Sequence, residues 1–220
     1  MKQGTVYAGR VKKAFSKTRA KAPKPRIPES DEPLRRLAVS VFGVRLGDVA
    51  GETAVDRMLS RMVDWNEVRV SHPTEIQSVL GNLSGPLPEL CQRLREVLHS
   101  LYQRENALSL DRLRKLGRRE ARQFLESLSG VDAYAAASVS LWSLGGHAIP
   151  VDDRLLKALR DAELVHPEAS REEVQAFLER NISANDAKEF CLVMRSFVPE
   201  KSSTGRKQRG SSSGKKSKSA

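Results

Sequence analysis

Apolar residues recur at helical spacing along most of the chain, and no stretch alternates as a half-buried strand would. After Asp31-Glu32-Pro33, a normal helix opening, Leu34, Leu37, Ala38 and Val41 share one face. Phe42 to Asp48 reads as a loop, and the pattern resumes from Thr53 with Ala54, Met58, Leu59 and Met62. Asp64 to Val70 reads either as a cleft lining or, the favoured reading, as a turn in which Trp65 packs while neighbouring polar side chains satisfy backbone donors. Pro73 opens a short helix through Leu80, and a longer one runs from about Pro88 to Glu105 on Leu90, Leu94, Val97, Leu98 and Leu101. Ser109 and Asp111 precede a short helix that ends near Leu116-Gly117, and Arg118 leads into the next segment. Leu155, Leu156, Ala158 and Leu159 mark a later helix. Ser170-Arg171-Glu172-Glu173 is a capping box, Ser183 to Asp186 resembles another, and the helices they open end near Arg180 and Phe197. The predicted class is all-α.

Charge changes this picture at the two ends. The chain of 220 residues has a formal net charge of +11. Residues 1–30 hold nine Lys/Arg and one acid, and residues 201–220 hold seven Lys/Arg and no acid. Residues 31–200 are left with 22 basic and 26 acidic residues, so the basicity belongs to the tails. Residues 1–30, with the run KAPKPRIP, read as a disordered basic arm, and residues 199–220, rich in Ser, Gly and Lys, as a disordered basic tail. Residues 31–198 form the helical domain. Basic tails suit a polyanionic partner bound with salt-dependent affinity, the alternative being solvated termini with no specific partner.

The chain has two cysteines, Cys91 and Cys191, both in apolar helical patterns. That excludes a disulfide framework, a four-cysteine zinc site and a four-cysteine iron–sulfur cluster, and points to buried free thiols. No apolar run is long enough to span a membrane, and the N-terminus lacks a signal-like apolar core. The expectation is an intracellular protein, cytoplasmic and associated with the nucleoid, monomeric and without a membrane partner.

The densest information lies between Phe124 and Arg160. Leu128-Ser129-Gly130-Val131-Asp132 reads as a tight hairpin in which Gly130 adopts a conformation that a side chain would obstruct. Asp132 stands where an N-cap belongs, before the Ala-rich helix Ala133 to Ser143. After Gly145-Gly146 the chain restarts at Ile149-Pro150-Val151-Asp152-Asp153-Arg154, an acidic pair opening another helix. This layout resembles the helix-hairpin-helix (HhH-GPD) DNA glycosylases of the endonuclease III superfamily. Their hairpin reads Leu-Pro-Gly-Val-Gly and a later Val-Asp pair carries the catalytic aspartate.

The resemblance implies two helical lobes with a cleft between them, double-stranded DNA as partner, and base-excision repair as function. It assigns Asp152 as the catalytic aspartate, which stabilises an oxocarbenium-like transition state and orients or deprotonates water. The base first leaves the duplex stack. Backbone N–H groups around Gly130, Val131 and Asp132 would hold a DNA phosphate, with a monovalent cation beside the contact in many family members. Tyr134 occupies the place of the lysine that forms a Schiff base in the bifunctional members, which implies a monofunctional glycosylase. Many members also carry an iron–sulfur cluster, which two cysteines cannot ligate.

Three departures accompany the match. Asp132 replaces the second hairpin glycine and would repel phosphate unless it turns inward as a cap or recruits a cation. Ser129 replaces the hairpin proline. No glutamine stands between Val41 and Leu46, where the family keeps one to fill the gap left by the extruded base, and Arg45 is the candidate wedge in its stead. Arg114, Lys115, Arg118 and Arg119 form a basic cluster; Arg118 and Arg119 are candidates for DNA backbone contact, with a solvated face as the equal alternative. His147 reads as a solvent-facing loop residue and Asp153 as a supporting or exposed one. A non-catalytic DNA- or chromatin-binding module on the same fold is the competing function, and a protein-interaction scaffold is a third.

Overall fold

One Ala-rich helix, α8 (Ala133–Trp142), is buried along nearly its whole length because both hydrophobic cores draw on it. Ala135, Ala136 and Val139 face one core, while Ala137, Leu141 and Trp142 face the other. Small side chains let neighbouring helices approach from opposite sides, which explains a helix with no polar face. In this computed structural model residues 4–21 and 32–195 are described. Among them are eleven α-helices, one short 3₁₀ segment and no strand.

The first lobe comprises α2 (Pro33–Leu46), α3 (Asp48–Arg61), α4 (Trp65–Val70), α5 (Pro73–Leu80), α6 (Leu87–Glu105), the 3₁₀ segment Asp111–Lys115 and α7 (Arg118–Glu126). Its core runs from Leu34 to Val139. The second lobe comprises α1 (Gly4–Lys21), α9 (Asp153–Asp161), α10 (Arg171–Asn181) and α11 (Ala187–Arg195), packed on the far half of α8. The two-lobed, all-α architecture is the one expected.

Three local expectations need correction. The N-terminal arm is not irregular: residues 4–21 form a helix whose Val11 and Phe15 are buried, with Phe15 edge-on to Phe190 of α11 at 5.2 Å. A stripe this narrow escapes notice among so many cations, yet it suffices to dock a helix that the lobe then stabilises. Residues 22–30 of the arm and the tail 199–220 lie outside the described residues. Second, Phe42 to Leu46 is helix rather than loop, and α3 begins at Asp48, directly after Gly47. Phe42, Val44 and Leu46 are all buried, so packing carries the helix through Gly43. Third, Trp65–Val70 is a helical turn, with Asp64 as the N-cap that accepts from Asn66 and Glu67 N–H.

Local signals elsewhere behave as read. The capping box at Ser170 is complete, with Ser170 Oγ accepting from Glu173 N and Glu173 Oε2 accepting from Ser170 N. Cys91 and Cys191 are buried free thiols in different cores. Burial pushes the Cys91 thiol up to about 11 and the Cys191 thiol higher still, so both stay protonated at neutral pH.

Candidate active site

The hairpin between α7 and α8 sits against α6. Gly130 has φ +83°, and a Cβ there would stand 2.9 Å from Val97 Cγ2 and 3.2 Å from the Arg93 carbonyl oxygen. Only glycine fits both that conformation and that approach. Val131 N–H donates to the Leu128 carbonyl at 3.2 Å and closes the turn. Arg93 Nε donates to the Gly130 carbonyl at 2.6 Å, fastening the tip to α6.

Asp132 turns inward. Its Oδ1 accepts from Ala135 N–H at 2.8 Å as the N-cap of α8. Its Oδ2 lies 3.0 Å from Arg93 Nη2 and 3.3 Å from Arg171 Nη2. Two guanidinium groups therefore neutralise the carboxylate that replaces the hairpin's second glycine. Neither arginine carries a short-range signal of this role, because α6 and α10 reach the hairpin only in the folded chain.

Asp152 caps α9 in the same way, with Oδ1 accepting from Leu155 N–H at 2.6 Å. It is half-buried, and burial raises its pKa from the ordinary aspartate value; the Leu155 N–H and Arg154 oppose the rise, while Asp153 adds to it. Asp153 is not a bystander. It pairs with Arg45 Nη1 at 2.8 Å and with Arg171 Nη1 at 3.3 Å. Arg171 thus bridges Asp132 of the hairpin and Asp153 beside Asp152. Arg45, the sequence's wedge candidate, ends α2 and is held across the cleft against α9.

Tyr134 is buried, and its hydroxyl donates to Asp48 Oδ1 at 2.6 Å. Burial drives the phenol pKa far up, and the Asp152 charge drives it further, so the ring stays neutral. The same Asp152 charge also pushes the buried Cys191 thiol up, so Tyr134 and Cys191 both feel the Asp152 carboxylate through a poorly solvated interior. A Cβ on Gly43 would stand 3.0 Å from Asp48 Oδ1 and 3.1 Å from the Tyr134 hydroxyl, so this mid-helix glycine makes room for their hydrogen bond. Asp48 also forms a close ion pair with Arg195 at the end of α11.

Comparison with solved structures settles the architecture. A trapped endonuclease III–DNA covalent intermediate matches with a TM-score of 0.68 at 16% identity, covering 86% of this chain and 85% of that one. The fold is that of the helix-hairpin-helix DNA glycosylases. A thermostable thymine-DNA glycosylase matches at TM-score 0.59 and 15% identity, covering 90% of this chain and 87% of that one. The 3-methyladenine DNA glycosylase of H. pylori, bound to 1,N6-ethenoadenine, matches at 0.61 and 13% identity, with coverages of 87% and 96%. No protein-family model matches the sequence, and no curated protein is recognisably similar to it in sequence.

On this glycosylase fold the sequence's candidates divide. Gly130, Val131, Asp132, Tyr134 and Asp152 gather along the hairpin and the two helix starts that follow it. Arg118 and Arg119 are exposed at the first turn of α7, the end of that helix remote from the hairpin. Arg114 is used structurally, donating through Nη1 to the Ser143 carbonyl at 2.9 Å. His147 does not face solvent freely: it is half-buried, with Nε2 3.0 Å from the Ile182 carbonyl. Asp48, Arg93, Arg171 and Arg195 are the site's unforeseen members. Among the described residues no cluster of metal-ligating side chains is found, and no helix is long and apolar enough to cross a membrane.

Proposed function

We propose that this protein is a base-excision DNA glycosylase that hydrolyses the N-glycosidic bond of an extruded damaged or mismatched base, with Asp152 as the catalytic carboxylate. The observation that carries this reading is the setting of Asp152. It is half-buried at the N-terminus of the helix that follows the hairpin helix, its pKa is raised, and its charge acts on buried Tyr134 of that hairpin helix. In that setting a carboxylate is a base of useful strength and a counter-charge to a developing oxocarbenium ion. DNA would be held at the hairpin, with double-stranded DNA the partner of a monomeric protein located where DNA is.

The reaction is monofunctional on this reading. A Schiff base with the sugar requires an amine, and Tyr134 supplies a neutral phenol tied to Asp48. The protein works without an iron–sulfur cluster: two cysteines cannot supply four thiolates, and these two lie in separate cores.

A second reading is a DNA-binding module that does not excise. The ion pairs Arg45–Asp153 and Asp48–Arg195 favour it, because each ties the first lobe to the second next to Asp152 or Tyr134. Duplexes carrying uracil, thymine opposite guanine, adenine opposite oxidised guanine, alkylated purines or oxidised pyrimidines separate the two. Strand breaks that appear only after alkali and vanish in Asp152→Asn support the monofunctional glycosylase. Breaks without alkali overturn the role given to Tyr134. Duplex binding with no excision on any substrate supports the module.

A further inference from the structure

The docking of α1 sorts its cations into two sets. Arg10 and Arg19 face the second lobe's acids: Arg10 lies 3.8 Å from Glu163, and Arg19 lies 3.3 Å from Asp186 and 2.8 Å from Glu189. Lys12, Lys13, Lys17 and Lys21 are exposed and have no ion pair among the described residues. Three of these, Lys13, Lys17 and Lys21, recur every fourth residue and so form one ridge. The apolar pair Val11 and Phe15 fixes the rotation of the helix, since burying it turns the lysine ridge to the opposite side. Lys12 lies off the ridge, where it shares a groove of about 700 Å³ between α1 and α10 with Arg180.

We infer that α1 is a fixed electrostatic contact for duplex DNA, in which Lys13, Lys17 and Lys21 meet backbone phosphates as a second anchor besides the hairpin. The inference rests on the proposed DNA-directed function for the choice of polyanion; the ridge itself rests on the packing of α1. Four helical residues advance about 6 Å, so the three ammonium groups span about 12 Å. A DNA strand carries a phosphate about every 3.4 Å of axis, so the ridge faces a run of several phosphates. The contact carries no sequence information. It adds affinity that falls with salt and orients the second lobe on the duplex.

The test compares the full-length protein with the triple variant Lys13→Gln, Lys17→Gln, Lys21→Gln, which removes charge and keeps good helix formers. Affinity for a lesion-free duplex is measured from low to high potassium chloride, with thermal unfolding as a control for folding. Each phosphate contact contributes about 0.9 to the slope of log affinity against log salt, so the variant's slope is shallower by about 2 to 3. The affinities converge at high salt and the unfolding temperature is unchanged. An unchanged slope, or an equal loss of affinity at every salt concentration, overturns the proposal. So does tighter binding of the wild type to anionic phosphatidylserine vesicles or to single-stranded RNA than to the duplex at the same salt. Because the duplex carries no lesion, failure of the excision chemistry leaves this measurement intact, and an altered slope leaves the excision question open.

Discussion

The Tyr134 hydroxyl donates to Asp48 Oδ1 at 2.6 Å across 86 residues of sequence, and Asp48 answers Arg195 with its other oxygen. A phenol, a carboxylate and a guanidinium from α8, α3 and α11 thus close one polar chain at the meeting of the two lobes. Tyr134→Phe leaves the Asp48–Arg195 pair but removes a buried hydrogen bond to a charged acceptor. It lowers stability by about 1.5–3 kcal/mol, measured by urea denaturation, and yields no alkali-independent strand cleavage.

Asp152 caps α9, and on the proposed mechanism it also carries the chemistry, so the two duties are separable. Asparagine caps a helix about as well as aspartate, so Asp152→Asn unfolds within about 0.5 kcal/mol of the wild type but does not excise. Asp152→Ala loses both, with a stability cost of about 1 kcal/mol. Calorimetry beside single-turnover excision distinguishes them. A variant that lost activity only through misfolding would show the same deficit in both measurements.

The raised pKa of Asp152 fixes two signs. The folded state holds its proton to a higher pH than the unfolded chain does, so this group's contribution to stability falls as pH rises from the ordinary aspartate value through the folded one. The proposed mechanism uses the ionised form, so the rate climbs with pH through that same folded value, above the usual aspartate of about 3.9. A pH–rate profile on a single lesion duplex, paired with thermal unfolding of wild type and Asp152→Asn, checks both. The asparagine variant loses the pH dependence of stability in that window.

Arg171 ties the hairpin to the helix that carries Asp152, contacting Asp132 and Asp153 at 3.3 Å each. Its side chain and both acids are partly buried, so Arg171→Ala costs about 1–2 kcal/mol, between the surface and the buried limits. Lysine cannot span two carboxylates as a guanidinium fork does, and Arg171→Lys recovers less than half of that loss. Denaturation of the two variants beside Asp132→Asn measures the coupling, which is present if the double change costs less than the sum.

Gly130→Ala places a Cβ in the left-handed region and 2.9 Å from Val97 Cγ2. The conformation alone costs about 1–2 kcal/mol. The hairpin shifts from α6 to relieve the contact, so duplex affinity falls as well, and a fluorescence titration beside thermal unfolding records both changes.

Much of this protein follows from its sequence alone, for a local reason. Helix periodicity, N-caps and capping boxes act over three or four residues, so Pro73–Leu80, α8, α9 and the Ser170 box stand where the pattern puts them. The hairpin, and Asp152 as the cap of α9, are legible on the same grounds. Only the tertiary structure decided which groups meet across the lobes. Asp132 reads as an N-cap that either turns inward or repels phosphate, and only the fold shows α6 and α10 bringing Arg93 and Arg171 against it. Gly43 reads as a loop residue until Tyr134 and Asp48 need the space beside it. The first helix reads as a disordered arm until a two-residue apolar stripe finds Phe190. These pairings depend on the burial of groups far apart in the chain, and no short window of sequence records which side chains the closed cores will bring together.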